Sequence, residues 1–219
     1  MSFRGSFNKH EFRNTKSMSS DSDRIHDLIA TRKSIRAFSN KAIDDKSFIK
    51  LFEAARWASS SRNEQPWRFI TARREEKENF QKTLSCLNES NRIWAQHGAI
   101  LIVVLAKKNF SIHPAPNTHA QHDVGLAIGN LALQATALGI YLRQMGGINY
   151  DTVREVFEVP EEFEIISIIV GGFPGSHETL PENLRERESL PRQRKALKEL
   201  VFEGKFGNEN HVLGQDNQT

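Results

Sequence analysis

Cys86 is the only cysteine of the chain, so no intrachain disulfide can form, and that usage suits a reducing compartment. No apolar run follows the early Arg and Lys residues as it would in a secretory leader. The longest apolar run, Ala99–Ala106, is far too short for a bilayer, which takes roughly 20 residues. Together these absences predict a cytoplasmic protein with no membrane partner. A strong charge of either sign is also missing. Net charge is +3, and the pI near 9.0 is a mild basic balance that suits an anionic ligand. It falls short of a nucleic-acid footprint, and Trp67 and the phenylalanines sit in core patterns that do not alternate with cations. A basic nucleic-acid-binding module is therefore the weaker class. Absent too is any glycine-rich strand-to-helix fingerprint for a dinucleotide. No repeat or low-complexity tract appears.

The remaining sequence alternates helical and extended patterns. Residues 1–22 are polar and aperiodic and read as a flexible arm. Residues 23–206 read as one domain, and 207–219 as a flexible tail. Asp23–Thr31 reads as a helix with Ile25, Leu28 and Ile29 on one side. Asp44 is placed to cap a second helix, with Ile43 stapling to Phe48, and Phe48, Leu51, Phe52, Ala55 and Ala58 form its buried stripe. That helix stops at Ser59–Gln65, and Pro66 turns the chain into a strand, Trp67–Ala72. Glu75–Asn91 reads as a charged helix with Phe80, Leu84 and Leu87 inward. Ala99–Ala106 is apolar at every position, the pattern of a central strand covered on both faces. Lys107–His119 is a loop containing Pro114 and Pro116.

Gln121–Leu138 is the most apolar helix. Val124, Ala127, Ile128, Leu131, Ala135 and Leu138 point inward, and Gly125 and Gly129 sit four apart, where another backbone can approach closely. Such a helix calls for cover from its own domain or from a second subunit. Ile140–Met145 reads as a strand ending at Gly146-Gly147, Asp151–Glu158 as a short helix, and Glu164–Val170 as a last strand. From Phe173 onward come turns, a basic cluster at Arg192, Arg194 and Lys195, and an amphipathic piece with Leu197, Leu200 and Val201. Strands interleaved with helices predict a layered domain.

Chemistry concentrates in the breaks. In Arg32-Lys33-Ser34-Ile35-Arg36, an extended chain puts Arg32, Ser34 and Arg36 on one face and Ile35 on the other. Two guanidinium forks with a hydroxyl between them match a phosphate. The Ser59–Gln65 loop supplies hydroxyls and amides, and Gly146-Gly147 bares backbone N–H groups. His119, His122 and Asp123 share a helix face that a metal could use. No fourth ligand is near, and a polar helix start with Asp at the positive end of the dipole explains the same residues. Cys86 sits beside Leu84 and Leu87 as a packed residue.

These pieces resemble the FMN-dependent nitroreductase family over about Asp23–Gly172. The resemblance is carried by Arg32-Lys33-Ser34-Ile35-Arg36-Ala37-Phe38 and by Ala58-Ser59-Ser60-Ser61-Arg62-Asn63-Glu64-Gln65-Pro66-Trp67. Asn91 with Trp94, then Asp123-Val124-Gly125, then Gly146-Gly147 complete the order. The resemblance implies an α+β fold, a three-layer α/β/α sandwich on a mainly antiparallel sheet, and a homodimer with FMN held at the subunit interface. Arg32, Lys33, Ser34 and Arg36 would hold the phosphate and ribityl end. Ser59, Ser60, Ser61 and Asn63 would approach from the partner subunit, Asn91 would meet the pyrimidine edge, and Gly146 and Gly147 would line the ring. Arg192 and Arg194 would fill two late phosphate positions. Ser59 replaces a common proline, and Gly146 stands where many members carry glutamate. The implied activity is electron transfer from NAD(P)H to a nitroaromatic, quinone or related small acceptor by a ping-pong mechanism, with no catalytic side chain and no metal. The alternative is a flavin-binding protein for storage or sensing, without turnover, because in such a fold the cofactor carries the redox chemistry.

Overall fold

A computed structural model describes residues 25–112 and 115–213. The predicted N-terminal arm, residues 1–22, lies outside the described residues. Four strands form the sheet: β1 (Trp67–Arg73), β2 (Ile100–Lys107), β3 (Tyr141–Met145) and β4 (Phe163–Gly172). Their spatial order is β1-β2-β4-β3, and every neighbouring pair is antiparallel. β2 lies inside the sheet, which is why its sequence is apolar from Ile100 to Ala106. Leu101, Val103 and Leu105 enter the core on one face, and Ile100, Ile102, Val104 and Ala106 enter the core on the other.

Helices α2 (Asp45–Arg56) and α5 (Ala120–Ala137) cover the second face. The first face carries α3 (Lys77–Ser85), α4 (Glu89–Ala95) and α6 (Tyr150–Val156), and Ile35, Ala37 and Phe38 of the basic stretch pack with them. The three-layer α/β/α sandwich expected from the sequence is therefore the observed fold. Asp44 caps α2 as read: Oδ1 accepts the Ser47 N–H at 2.9 Å, and Ile43 is buried. α1 (Asp27–Thr31) delivers the chain to the basic stretch, but buries none of its residues; Ile25 and Ile29 stay exposed.

Two elements differ from the sequence reading. The helix expected over Glu75–Asn91 is broken at Cys86–Asn88. There the Asn88 N–H donates to the Gly147 carbonyl at 3.1 Å, the Asn149 N–H donates to the Cys86 carbonyl at 2.8 Å, and Leu87 bridges Ile148. Backbone groups that would continue the helix are spent on the Gly146-Gly147 turn. The segment after Phe173 contains a further helix, α7 (Glu182–Ser189), with no buried residue to betray it in the sequence.

Candidate functional site

Residues 32–36 belong to no helix or strand, yet their alternation holds: Ile35 is buried, and Arg32 and Arg36 are only half-buried on the other side. Arg32 donates weakly to Ser34 Oγ at 3.5 Å. Burial, and then the nearby charges of Arg192 and Arg194, push its guanidinium pKa down. Three like charges gathered in one place repel, and an anion between them would relieve that. Arg192 donates to the carbonyls of Arg32, at 2.6 Å, and of Ala30. Arg194 donates to the Gln193 carbonyl. Arg36 is engaged differently. Glu188 of α7 accepts its backbone N–H at 2.7 Å and its guanidinium at 3.0 Å. Lys33, Ser34, Arg143, His177, Arg187 and Arg192 are among the residues lining the cavity here, of about 210 Å³.

Asn91 and the glycine turn lie on the same face of the sheet, and Trp94 links them to Arg36 and Arg143. Asn91 Nδ2 donates to the Gly147 carbonyl at 3.1 Å. A Cβ on Gly147 would lie 2.8 Å from that nitrogen, so a side chain there would displace the Asn91 amide. Over Gly146 the space is open. One helical turn beyond Asn91, Trp94 is buried with Arg36 and Arg143 at 5.9 and 5.4 Å from its ring centre. Arg143 was not singled out by sequence reasoning. Its signal was its register, since it shares the inward face of β3 with Tyr141 and Met145, both packed in the core.

The serine loop lies elsewhere. Ser59, Ser60 and Ser61 line a groove of about 310 Å³ with His119, His122 and Asp123, beside the face covered by α2 and α5. Arg62, Asn63 and Gln65 all have positive φ (53°, 55° and 50°), strained for residues with a Cβ. Among the bonds that hold that geometry, the Ser61 N–H donates to buried Asp123 Oδ2 at 2.9 Å, and the Gln65 N–H donates to Ser60 Oγ at 3.0 Å. Glu64, its side chain 5% exposed, accepts the N–H and Oγ–H of Ser111 at 2.9 and 2.5 Å. Burial alone would raise its pKa, but those two bonds, with Lys107 and Arg68, hold it below the usual glutamate value. Asp123 and Glu64 thus have structural partners. No cluster of three or more metal-ligating side chains occurs among the described residues. Burial pushes the Cys86 thiol pKa up, as a packed cysteine requires.

Arg32, Lys33, Ser34, Arg36, Asn91, Gly146, Gly147, Arg192 and Arg194 therefore gather on one side of the sheet. Ser59, Ser60, Ser61 and Asn63 do not join them within one chain.

A cationic cluster and an open glycine turn thus lie on one face of an antiparallel α/β/α frame, a frame shared with known proteins. The Nitroreductase family profile matches residues 29–173, and the chain belongs to that family. It is similar to "Putative NADH dehydrogenase/NAD(P)H nitroreductase" of Archaeoglobus fulgidus, 29% identical over 150 residues, covering 67% of this chain and 83% of the relative. A protein of the same name from Methanothermobacter thermautotrophicus is 25% identical, covering 70% and 78% of the two chains. Among solved structures, an oxidoreductase containing FMN superposes with a TM-score of 0.81 at 30% identity, covering 90% of this chain and all of that one. No helix among the described residues is long and apolar enough to cross a membrane.

Proposed function

We propose that the chain is an FMN-dependent oxidoreductase that passes electrons from NAD(P)H to a small acceptor, such as a nitroaromatic or quinone, by a ping-pong mechanism. The single observation that carries this reading is that the Arg32/Arg192/Arg194 cluster and the Asn91–Gly147 contact share one face of the sheet, linked through Arg36 and Arg143 on the Trp94 ring. The residues fit FMN. Arg32, Lys33 and Ser34 would take the phosphate, with Arg194 nearby; Asn91 would meet the ring's pyrimidine edge; Gly146 would admit the ring without a side chain in its way. FMN, when bound, supplies the two-electron chemistry. The chain's own residues hold the phosphate, orient the ring and place donors and positive charge where negative charge develops. Arg36 and Arg192 already serve protein groups, so they support the site as much as they contact the ligand.

The reading includes a homodimer. Gly125, Leu126 and Gly129 of α5 are exposed, and nothing lies within 4 Å of a Cβ placed on either glycine. Trp57 of the same layer is 74% exposed, and past α7 Leu190, Leu197, Leu200 and Phe206 are exposed too. Exposed apolar side chains in this number support that reading. A dimer would also bring a partner's Ser59–Asn63 loop to the site that one chain leaves without it. The buried area expected is that of an obligate dimer, about 2,000–5,000 Å². Size exclusion with light scattering and absorbance tests cofactor and assembly together. A yellow peak at twice the 25.0 kDa chain mass, with one FMN per chain, is expected. A colourless monomer that binds FMN no tighter than riboflavin would overturn both.

A further inference from the structure

The basic stretch is an extended run without a partner strand, so its backbone groups must be satisfied in another way. Charged side chains do it at alternate positions. Arg192 takes the carbonyls of Ala30 and Arg32, Arg143 takes that of Ser34 at 2.7 Å, and Glu188 takes the N–H of Arg36. They replace a neighbouring strand along one edge of the run.

Of these, Arg143 is the best connected. It comes from β3, which ends at Met145 directly before the Gly146-Gly147 turn. Its guanidinium lies on the ring of Trp94, three residues beyond Asn91 on α4, and Arg36 lies on the same ring. One side chain therefore ties the Ser34 backbone to the two elements that carry the opposite end of the proposed ligand. Its pKa is lowered by burial and by Arg36, while Glu188 opposes this. The one hydrogen bond that Arg143 makes among the described residues goes to the Ser34 carbonyl, and Glu188 acts on it from beyond salt-bridge distance.

We propose that Arg143 is a positioning residue for the phosphate end of the flavin site, holding Ser34 by its carbonyl so that the Ser34 hydroxyl and the Arg32 fork face the ligand. The inference rests on the basic stretch being the phosphate site. Arg143→Met keeps an apolar stem on Trp94 and removes the bond to Ser34, whose exposed carbonyl can turn to water. Arg143→Lys keeps the charge and loses the planar fork.

The test titrates flavin-free wild type and both variants with FMN and with riboflavin at one ionic strength. Wild type should prefer FMN. In Arg143→Met the ratio of riboflavin Kd to FMN Kd should fall about tenfold, with riboflavin affinity itself within about twofold. Arg143→Lys should fall about threefold, and it carries the test if the methionine variant does not fold. A merely structural role would weaken both flavins by the same factor. That result, or an unchanged ratio in the variants, overturns the assignment. A wild type that binds FMN and riboflavin equally overturns the phosphate site itself, and the inference with it, which separates the two failures.

Discussion

Arg36→Ala should destabilise the flavin-free protein by about 3–5 kcal/mol, the range for removing one partner of a buried ion pair. The Glu188 side chain is 6% exposed and that of Arg36 is 17% exposed, so water can do little for either. With Arg36 gone, Glu188 keeps the backbone N–H at 2.7 Å but loses its only counter-ion within salt-bridge distance among the described residues. For a chain of this size the fall in Tm is on the order of 10 °C. Arg36→Met combined with Glu188→Leu should recover most of the loss, because an apolar pair of similar volume often replaces a buried ion pair without cost. Urea unfolding of the three proteins decides the matter. A loss below about 1 kcal/mol in Arg36→Ala, with FMN affinity alone reduced, would mean that Arg36 serves the ligand and not Glu188.

Gly175→Ala should cost about 3 kcal/mol or more. A Cβ there would sit 2.4 Å from both the carbonyl carbon and oxygen of Phe38 and 2.7 Å from the Ser39 nitrogen. These are backbone atoms, so no rotamer change relieves the clash. The two segments are joined by Gly175 N–H to the Ala37 carbonyl at 3.0 Å and by Ser39 N–H to the Phe173 carbonyl at 2.9 Å, with a bridge between Phe38 and Pro174. A methyl group must push them apart. The basic stretch hangs directly from this junction, so flavin content should fall with stability. Thermal unfolding and absorbance of the purified variant measure both. Stability within 1 kcal/mol of wild type would show that the junction yields, and that the stretch is held by its side-chain contacts instead.

Both predictions concern features that sequence patterns carry poorly. The strands were legible because each pairs burial with a simple pattern, β2 above all, with every position from Ile100 to Ala106 buried. The alternation of the basic stretch about buried Ile35 was legible for the same reason, since successive side chains of an extended chain point to opposite sides. Contacts across long separations were not. Arg36 reads as a free cation until Glu188, 152 residues away, is seen against it. The break at Cys86–Asn88 lies inside an unbroken helical pattern, because its cause is a turn some 60 residues downstream. α7 has no apolar stripe, so no period announces it, although it delivers the carboxylate that organises the stretch. The serine loop shows a third limit. Its polar residues gave no sign that it would lie beside α2 and α5, tied to Asp123 and apart from the basic stretch.

The central claim, that the chain uses FMN to pass electrons from NAD(P)H to a small acceptor, is tested most directly by mixing. The FMN-loaded protein is combined with NADH or NADPH without oxygen, and the flavin absorbance is followed by stopped flow. Rapid bleaching is expected, with colour restored when a quinone or nitroaromatic is added after the nicotinamide has been removed. Steady-state rates against both substrates should give parallel double-reciprocal lines. Flavin that stays yellow with either nicotinamide would contradict the account and leave a flavin-binding protein without NAD(P)H turnover.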